Sequence, residues 1–571
     1  MRRPPAAARW WVPRALAAAL FALALGPVAA AAPPTGGPSD PYRAHLFSRV
    51  DRAAVPVGGL VEWSVEALGA PVSASARDAL VAAFEALDPA GSGLEEVRRT
   101  DVLTRVTGDV IELQRRFVFR VTDPALDAFP AVALPLGRGK RLASRAHPLH
   151  IYRPSAALDA AVRSVVALEV EGRAGDAPFT RTGSAFLAGP DALVTAFHVV
   201  AGARRIVARL PDGRTVRLRR VWALDPARDV AVLQIDPDAA RTAGLHPLVL
   251  APAGATSTVA LTAGWPGATQ VPTVAPRYDD LVLGRGQRLR MAANAVRPGD
   301  SGGPLLAPDG RVLGVVVSGR STDDTSDLLR EDICLAADPH AALTRMRVLA
   351  SAGEAPSSLR DALRAAVREA PEARVFDAAI VLQLPARNGA RAPHVAAMLD
   401  ALQSAPADPA LQYLAGSALD GIGAAEPARG AFQAAWDGGY VPAAYALAHD
   451  HLRRGEAATA SLLFDAVRAS DAYAHLGALG AARAAILLSD YDEAEDAVLD
   501  VLDHEPRFGP ALYLLGVIRV AQGRPEEAAA LRIRLGPHSV WAEPLTLLLT
   551  TPALQPEALR PLPRGLVSWR R

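Results

Sequence analysis

Three residue types that together can perform nucleophilic catalysis occur in three short motifs of the chain. Ser301 lies in a glycine-rich run, His198 follows an apolar run, and Asp229 precedes another. A serine hydroxyl is a poor nucleophile until a base removes its proton, and an imidazole held by a carboxylate can act as that base. We therefore predict that Ser301 is a nucleophile, His198 its general base and Asp229 the group that orients His198.

The glycines around Ser301 predict a second element of the same chemistry. Where the backbone bends sharply, the N–H groups of Gly299, Asp300 and Ser301 can turn into one concavity, and such a nest binds a developing oxyanion. We expect the N–H groups of Gly299 and Ser301 to form this oxyanion hole. Gly302 and Gly303 would leave room for a substrate carbonyl. A plain glycine-rich turn is the alternative interpretation.

Each of the three residues alone has an ordinary explanation. A lone histidine at the position of His198 is more often a core residue, and Asp229 could be a surface carboxylate beside Arg228. The combination is more specific, because the chain order His, Asp, Ser is that of chymotrypsin-type enzymes and differs from that of subtilisin or the α/β-hydrolases. This order favours peptide-bond hydrolysis through an acyl intermediate.

The motifs resemble those of the trypsin-like superfamily. Thr195-Ala-Phe-His198 is similar to its T-A-x-H pattern, and Gly299-Asp-Ser-Gly-Gly-Pro304 is similar to its G-D-S-G-G-P pattern. Gly183-Ser-Ala-Phe186 and Asp229-Val-Ala-Val-Leu233 resemble the HtrA (DegP-like) branch most closely. The resemblance implies a double β-barrel, the roles assigned above, and a peptidase that needs no metal or organic cofactor.

The chain departs from the HtrA pattern in two places. Asp300 stands where HtrA-like proteins usually have asparagine, and in activated trypsin-like zymogens an aspartate there pairs with a new N-terminus. No clear activation site precedes Val165-Val166. Helical sequence, instead of a PDZ-like region, follows the motifs. The resemblance therefore does not extend to HtrA-style regulation or to its trimer.

The resemblance also places a substrate pocket. In trypsin-like folds the residue six positions before the nucleophile lies at the base of the primary specificity pocket, which here is Ala295. Neither Ala295 nor the neighbouring Val296 carries a charge, whereas cleavage after Arg or Lys needs a carboxylate to pair with the buried cation. We predict that this pocket takes Val, Ala, Leu or similar side chains.

The residue pattern of the surrounding sequence predicts the domain that positions these residues. Residues 154–350 contain all the motifs and alternate short β-rich runs with Gly, Pro and Asp turns. This alternation is typical of all-β barrels. We therefore predict a trypsin-like double-barrel domain over 154–350.

A smaller β-domain is predicted before it, over residues 33–153. Apolar and polar residues alternate there with period two, and the run from Arg49 to Gly58 resembles the start of the immunoglobulin-like domains of BatD-type exported proteins. We expect an immunoglobulin-like β-sandwich. His147 and His150 near its end are interpreted as solvated linker residues rather than metal ligands, since no carboxylate or thiol cluster accompanies them.

Residues 351–571 have an Ala/Leu-rich helical pattern with an internal repeat. Small turn residues recur at a spacing of 32 to 34 residues: Gly423, Gly455, Ser489 and Gly523. An alanine follows each of them five residues later: Ala428, Ala460, Ala494 and Ala528. The spacing resembles that of tetratricopeptide repeats and predicts an array of α-helical hairpins. Stacked hairpins form a concave surface, so we expect a protein partner there.

The first 32 residues have the pattern of a signal peptide. Basic residues precede the apolar run Ala15–Leu25, and the small residues Ala29–Ala32 offer cleavage sites. We expect export to the periplasm or secretion, with the mature chain beginning near Ala31–Pro33. A retained membrane anchor is the alternative, although the apolar run is shorter than the about 20 residues of a membrane-spanning helix.

The composition of the 571-residue chain excludes several classes of protein. A formal net charge of +1 argues against a nucleic-acid binder, which normally has a basic surplus. The single cysteine, Cys334, excludes an intramolecular disulfide bond, and we expect its thiol to be buried. A second class of function stays open, in which a catalytically silent or latent protease fold binds partners through the helical repeats. The complete triad favours an active peptidase.

Overall fold

The structure is a computed structural model, and it describes the following residues: 44–69, 71, 73–88, 93–107, 110–137, 140–174, 177–252, 255–265, 273–277, 281–282, 288–294, 296–320, 333–383, 391–404, 408–536, 539 and 541–550. The predicted signal peptide and Ala295 lie outside these residues. No helix among them is long and apolar enough to cross a membrane.

The first part of the chain folds around one antiparallel sheet. Its elements, in chain order, are β1 (Ala44–Val50), β2 (Ala54–Pro56), β3 (Leu60–Gly69), α1 (Ala74–Glu85), β4 (Leu94–Arg99), β5 (Leu103–Thr107), β6 (Val110–Val121), β7 (Ala128–Phe129), β8 (Ala133–Gly137), β9 (Lys140–Ala143), β10 (His147–Pro148) and β11 (His150–Tyr152). The sheet has the order β1-β3-β6-β4, with β5 also paired to β6. Two-stranded ladders join β7 to β10, β2 to β11 and β8 to β9.

The core of this part gathers the apolar residues that alternate along its strands. Trp63 is fully buried, and the rings of Phe117, Phe119 and Phe129 lie within 6.3 Å of its ring centre. The predicted β-rich character is confirmed, whereas the immunoglobulin-like label stays a prediction. His147 is not a solvated linker residue, because its Nε2 lies 2.7 Å from Ser48 Oγ and burial lowers its pKa.

The next part is built from two larger antiparallel sheets. Its elements, in chain order, are α2 (Ala156–Arg163), β12 (Val165–Ala174), β13 (Ala177–Gly189), β14 (Ala192–Ala196), α3 (Phe197–Val200), β15 (Ala203–Arg209), β16 (Thr215–Leu218), β17 (Arg220–Asp225), a 3₁₀ turn (Pro226–Arg228), β18 (Val230–Gln234), α4 (Pro237–Thr242), β19 (Val259–Thr262), β20 (Thr273–Pro276), β21 (Leu281–Val282), β22 (Arg288–Ala292), β23 (Pro304–Leu306), β24 (Val312–Arg320), β25 (Ile333–Ala337), α5 (His340–Ser351) and β26 (Ser357–Ser358).

Each of the two sheets combines strands that are consecutive in the chain with crossovers between more distant ones. The first has the order β16-β15-β12-β13-β14-β18-β17-β26, and the second has the order β20-β19-β23-β24-β25-β22-β21. All their strand pairs are antiparallel, and β14 of the first sheet contacts β24 of the second. The predicted all-β architecture of this part is confirmed. Strand β26 follows α5 and pairs at the edge of the first sheet. The segment that leads into the helical part is therefore itself a strand of that sheet.

The last part is helical. Its elements, in chain order, are α6 (Leu359–Glu369), α7 (Pro371–Gln383), α8 (Ala392–Ser404), α9 (Pro409–Gly421), α10 (Ala425–Asp437), α11 (Val441–Arg453), α12 (Ala457–Arg468), a 3₁₀ turn (Asp471–Tyr473), α13 (Ala474–Leu487), α14 (Tyr491–His504), α15 (Gly509–Ala521), α16 (Pro525–Leu535) and α17 (Ala542–Thr550).

Helices α9 to α16 form four helical hairpins, and each predicted turn residue lies between the two helices of one hairpin. All four turn residues have left-handed backbone, with φ of 82° at Gly423, 77° at Gly455, 62° at Ser489 and 72° at Gly523. The two helices of the first hairpin cross closely, because a Cβ on Gly416 would lie 2.6 Å from the Phe432 ring. The helical region is therefore confirmed, and its tetratricopeptide label stays a prediction.

The first and last parts contact each other through charged side chains. Glu66 lies 2.8 Å from a guanidinium nitrogen of Arg534 and 3.2 Å from one of Arg507. Arg49 also pairs with Glu505, at 3.3 Å. The Glu66 and Arg534 side chains are 5% and 2% exposed, so this ion pair is excluded from water.

Ser489 provides a test of the repeat turns, because it occupies a conformation that suits glycine. A left-handed residue with a Cβ costs about 1 kcal/mol. We expect Ser489→Gly to raise the free energy of unfolding by about 1 kcal/mol, measured by urea denaturation. Gly455→Ser is the matched control, and it should lower stability by a similar amount, since no atom would crowd a Cβ there. If Ser489→Gly and the parent are equally stable, the left-handed backbone assigned to Ser489 would be contradicted.

Candidate active site

His198 and Asp229 lie side by side because their strands pair. Strand β14 ends at Ala196, two residues before His198, and Ala196 is the partner of Val230, the first residue of β18. Antiparallel pairing therefore brings the end of one strand and the start of the next to the same edge of the sheet. Every residue of β14 is buried, which fixes this edge rigidly.

Asp229 contacts His198 with both carboxylate oxygens. Its Oδ2 lies 2.7 Å from His198 Nδ1, and its Oδ1 accepts a hydrogen bond of 2.7 Å from the His198 backbone N–H. The Asp229 carbonyl also accepts from the Phe197 N–H, at 3.0 Å. When Nδ1 donates to the carboxylate, Nε2 is left as the acceptor of the ring. The two side chains are 19% and 15% exposed, so the ring is sheltered yet still reaches the surface.

A strained backbone makes this contact possible. Asp229 follows the 3₁₀ turn and has φ of 55°, in the left-handed region. A non-glycine residue there costs about 1–2 kcal/mol. The three hydrogen bonds between the Asp229 and His198 segments hold the residue in this conformation.

The segment before Ser301 is a type II turn. Asp300 N–H donates to the Arg297 carbonyl at 3.0 Å, and Gly299, the third residue of the turn, has φ of 108°. Proline at the second position and positive φ at the third define type II. A type I turn would flip the central peptide and put the Pro298 carbonyl on the face where the Gly299 N–H stands. Within the described residues, the N–H groups of Gly299 and Ser301 donate to no protein acceptor.

Ser184 fixes this turn, and sequence reasoning assigned it no role. Its hydroxyl donates to the Gly299 carbonyl at 2.6 Å and accepts from the Trp265 N–H at 2.9 Å. Its own N–H donates to the Ser301 carbonyl at 2.8 Å. Ser184 is fully buried on β13, so the first sheet holds the turn of the second. The only sequence signal was its place beside Gly183 in one of the motifs.

The glycines after Ser301 are required for packing. A Cβ on Gly302 would lie 2.1 Å from Thr195 Oγ1, and one on Gly303 would lie 2.2 Å from the Ala263 carbonyl oxygen. The expectation that they simply leave space for a substrate was incomplete. Their absent side chains let the Ser301 turn approach the end of β14, which leads directly to His198. Ser301 is half-buried, and its hydroxyl makes no hydrogen bond within the described residues.

Asp300 is buried and only partly satisfied. Its Oδ2 accepts from the Arg297 N–H at 2.8 Å, while its Oδ1 has no hydrogen-bond partner in the described part of the chain. A Cβ on Gly264 would lie 2.2 Å from that oxygen, so Gly264 leaves the space it fills. Burial raises the pKa of the Asp300 carboxyl above its usual value, although the bond from Arg297 opposes the shift.

The predicted pocket is described only in part. Val296 is 8% exposed, and Val317, on the neighbouring β24, is also buried. Ala295 lies outside the described residues. Cys334 is fully buried, which raises the pKa of its thiol. The described residues hold no group of three or more His, Cys, Asp or Glu side chains arranged for a metal ion.

Comparison with known families matches residues 183–315 to the family described as trypsin-like peptidase domain. The chain contains a trypsin-like peptidase domain. This match covers the three motifs and part of each sheet, so the predicted double-barrel architecture is confirmed for this region. The boundaries predicted at residues 154 and 350 stay predictions.

Three individual proteins similar to this chain are proteases, and two of them are named as HtrA proteases. Serine protease HTRA2, mitochondrial, from Bos taurus is 35% identical over 189 residues, which cover 29% of this chain and 40% of that protein. The chain thus spans well under two thirds of this relative. Among solved structures, HtrA-type protease AlgW with tripeptide is 26% identical, with a TM-score of 0.28, over 35% of this chain and 64% of that one. The Rv3671c protease from M. tuberculosis, active form, is 24% identical, with a TM-score of 0.28. The match covers 34% of this chain and 84% of that one.

Asp300 allows a test of how burial acts on the Ser301 turn. Its carboxyl has a raised pKa in the folded chain, so the unfolded chain loses that proton first and stability falls as pH rises from the unfolded to the folded pKa. We expect Asp300→Asn to raise the free energy of unfolding at pH 7 by about 1 kcal/mol. The gain should shrink as the pH is lowered toward 4, measured by urea denaturation at several pH values.

Asp309→Asn is the control for this experiment. Asp309 is an exposed carboxylate whose pKa is lowered by a hydrogen bond from Arg311, so its loss should destabilise slightly at pH 7. A lower stability of Asp300→Asn than of the parent at pH 7 would show that the buried carboxylate is not a net cost.

Proposed function

We propose that the chain is a serine endopeptidase that uses His198, Asp229 and Ser301 as its catalytic triad. The observation that carries this proposal is the contact of both Asp229 carboxylate oxygens with His198, one with its ring and one with its backbone N–H. This contact lies at the edge of the sheet that Ser301 approaches. The match to a trypsin-like peptidase domain supports it independently. No metal or organic cofactor enters the proposed reaction.

The reaction begins with attack of Ser301 Oγ on the carbonyl carbon of the scissile peptide. His198 Nε2 accepts the hydroxyl proton as the new C–O bond forms, and Asp229 stabilises the resulting imidazolium. The Ser301 hydroxyl makes no hydrogen bond within the described residues, so we propose that its bond to His198 forms when substrate binds, since such bonds are often long in free enzymes and tighten in the complex.

The negative charge of the tetrahedral intermediate falls on the former carbonyl oxygen. The N–H groups of Gly299 and Ser301 are its proposed donors, because neither donates to an acceptor among the residues that the structure describes. One such donor contributes about 10²–10³ in turnover. Collapse of the intermediate breaks the C–N bond, and His198 returns its proton to the leaving amine. Water then attacks the acyl ester by the same route and releases Ser301.

The alternative function is a silent or latent protease fold that acts only by binding. The turn geometry supports the active interpretation. In a collapsed site the central peptide of the turn would be reversed, and its carbonyl would fill the place of the oxyanion. Here Gly299 has the positive φ that type II requires, and Ser184 holds its carbonyl away from the site.

The substrates we propose are exported or misfolded proteins. The HtrA-type relatives support a peptidase of this branch, and the basic and apolar N-terminus supports a periplasmic or secreted location, or a retained membrane anchor. The helical hairpins α9 to α16 would bind a protein partner or present the substrate, since stacked hairpins suit extended peptides.

The triad is tested with the full-length chain and a fluorophosphonate probe, which labels only an activated serine. We expect Ser301→Ala to fold normally and to lose labelling and casein cleavage. Asp229→Asn should lower turnover by about 10⁴-fold, because it favours the wrong tautomer of His198. Undiminished casein cleavage by Ser301→Ala would exclude this assignment, and a folded wild-type chain that is never labelled would favour the binding alternative.

The pocket is tested with a peptide library. We propose that Ala295 and Val296 line a neutral pocket, in which burial of an apolar side chain gains about 1.5–3 kcal/mol, while an unpaired guanidinium would cost several kcal/mol. Cleavage should follow Val, Ala, Leu or similar residues. Ala295→Asp should shift the preference toward Arg and Lys. Dominant cleavage after Arg or Lys by the wild type, absent in Ser301→Ala, would refute the pocket assignment.

A further inference from the structure

One arginine, Arg181, donates hydrogen bonds to backbone carbonyls in and directly after the short helix that carries His198. Helix α3 has only four residues, so most of its carbonyls have no donor within the helix. Arg181, on β13, donates to the His198 carbonyl and, at 2.8 Å, to the Ala201 carbonyl. Its guanidinium also lies 4.2 Å from the centre of the Phe179 ring. The planar fork of Arg181 thus fixes both ends of the segment that positions the imidazole.

The charge of Arg181 is balanced by two carboxylates from different parts of the chain. Burial lowers the pKa of Arg181 to about 10, while the negative charges of Asp377 and Asp229 oppose this shift. Asp377 lies on α7, in the helical part, and burial raises its pKa, with the charges of His394 and Arg181 acting against that rise. Arg181 therefore stays charged at neutral pH, between the catalytic pair and the helical array.

The same helix packs directly against the residue before His198. The ring of Phe376, on α7, meets the ring of Phe197 edge to face, with 5.5 Å between centres. Phe197 is 1% exposed, so Phe376 closes its pocket. Helix α7 also contacts β12 and the 3₁₀ turn Pro226–Arg228, whose last residue precedes Asp229. One helix of the C-terminal part therefore touches both segments of the catalytic pair.

We infer that α7 belongs to the scaffold of the active site, and that Arg181, Phe376 and Asp377 are positioning residues for His198. This inference rests on the proposed peptidase function. Helix α7 packs in turn on α8 and α9, so it joins the helical array to the site. Helix α7 is thus a structural part of the catalytic unit, in addition to any partner that the array binds.

The expected effect is on turnover, because the three residues lie behind His198 and away from the substrate. A misplacement of about 1 Å in a catalytic group can lower the rate about 10²-fold. Arg181→Gln should therefore lower kcat by about 10²-fold and Phe376→Leu by about tenfold, each with little change in KM. Arg181→Lys keeps the charge but lacks the planar fork whose two nitrogens reach the two carbonyls, so its kcat should fall between that of Arg181→Gln and the wild type.

The experiment compares full-length variants by kcat and KM on a short peptide substrate and by the rate of fluorophosphonate labelling. Phe432→Leu is the matched control, since it removes a buried ring of the helical array that lies against Tyr413 and not against α3. Its kcat should equal that of the wild type. Thermal melting of each variant identifies those that remain folded.

The outcomes separate this inference from the proposed function. Absence of labelling in the wild type refutes the peptidase, and with it the inference. A labelled wild type whose folded Phe376→Leu and Arg181→Gln variants keep full kcat overturns the inference alone. An equal fall in kcat for Phe432→Leu does the same, because it would reflect general destabilisation. If Arg181→Gln does not fold, Phe376→Leu and Asp377→Asn decide.

Discussion

The antiparallel pairing of β14 with β18 is the constraint on which the site depends. It sets Ala196 opposite Val230, and so leaves the segments of His198 and Asp229 adjacent where the two strands meet the edge of the sheet. The left-handed backbone of Asp229 then turns its carboxylate onto both the imidazole and the backbone of His198. A shift of one residue in this pairing would reverse the faces of every side chain and separate the pair.

The third member of the proposed triad reaches this edge through close backbone packing between the two sheets. Ser184 of the first sheet bonds the turn before Ser301, and Gly302 lies against Thr195 with no space for a side chain. Since Thr195 belongs to β14, the strand that leads to His198 and the turn that carries Ser301 share one contact surface. The geometry of the site is thus a property of two sheets packed together.

Much of this was predictable from sequence, because it is local. The motif residues, the β-rich alternation and the left-handed turn residues at Gly423, Gly455 and Ser489 each depend on neighbours within a few positions. The roles of Arg181 and Phe376 could not be predicted, because they follow from contacts between segments far apart in the chain, which no period or spacing encodes. The solvated histidine predicted at His147 failed for the same reason, since its partner Ser48 lies on a distant strand.

Strand β26 has a consequence for how this chain can be divided. Ser357 and Ser358 pair with Val221 and Arg220 of β17, and Leu359 N–H donates to the Arg219 carbonyl at 2.8 Å. A fragment that stops before them would leave β17 as an open edge, where unpaired backbone groups recruit other strands and cause aggregation. The barrel and the helices therefore cannot be exchanged as separate modules at this junction, and a recombined chain would have to carry β26 with the barrel.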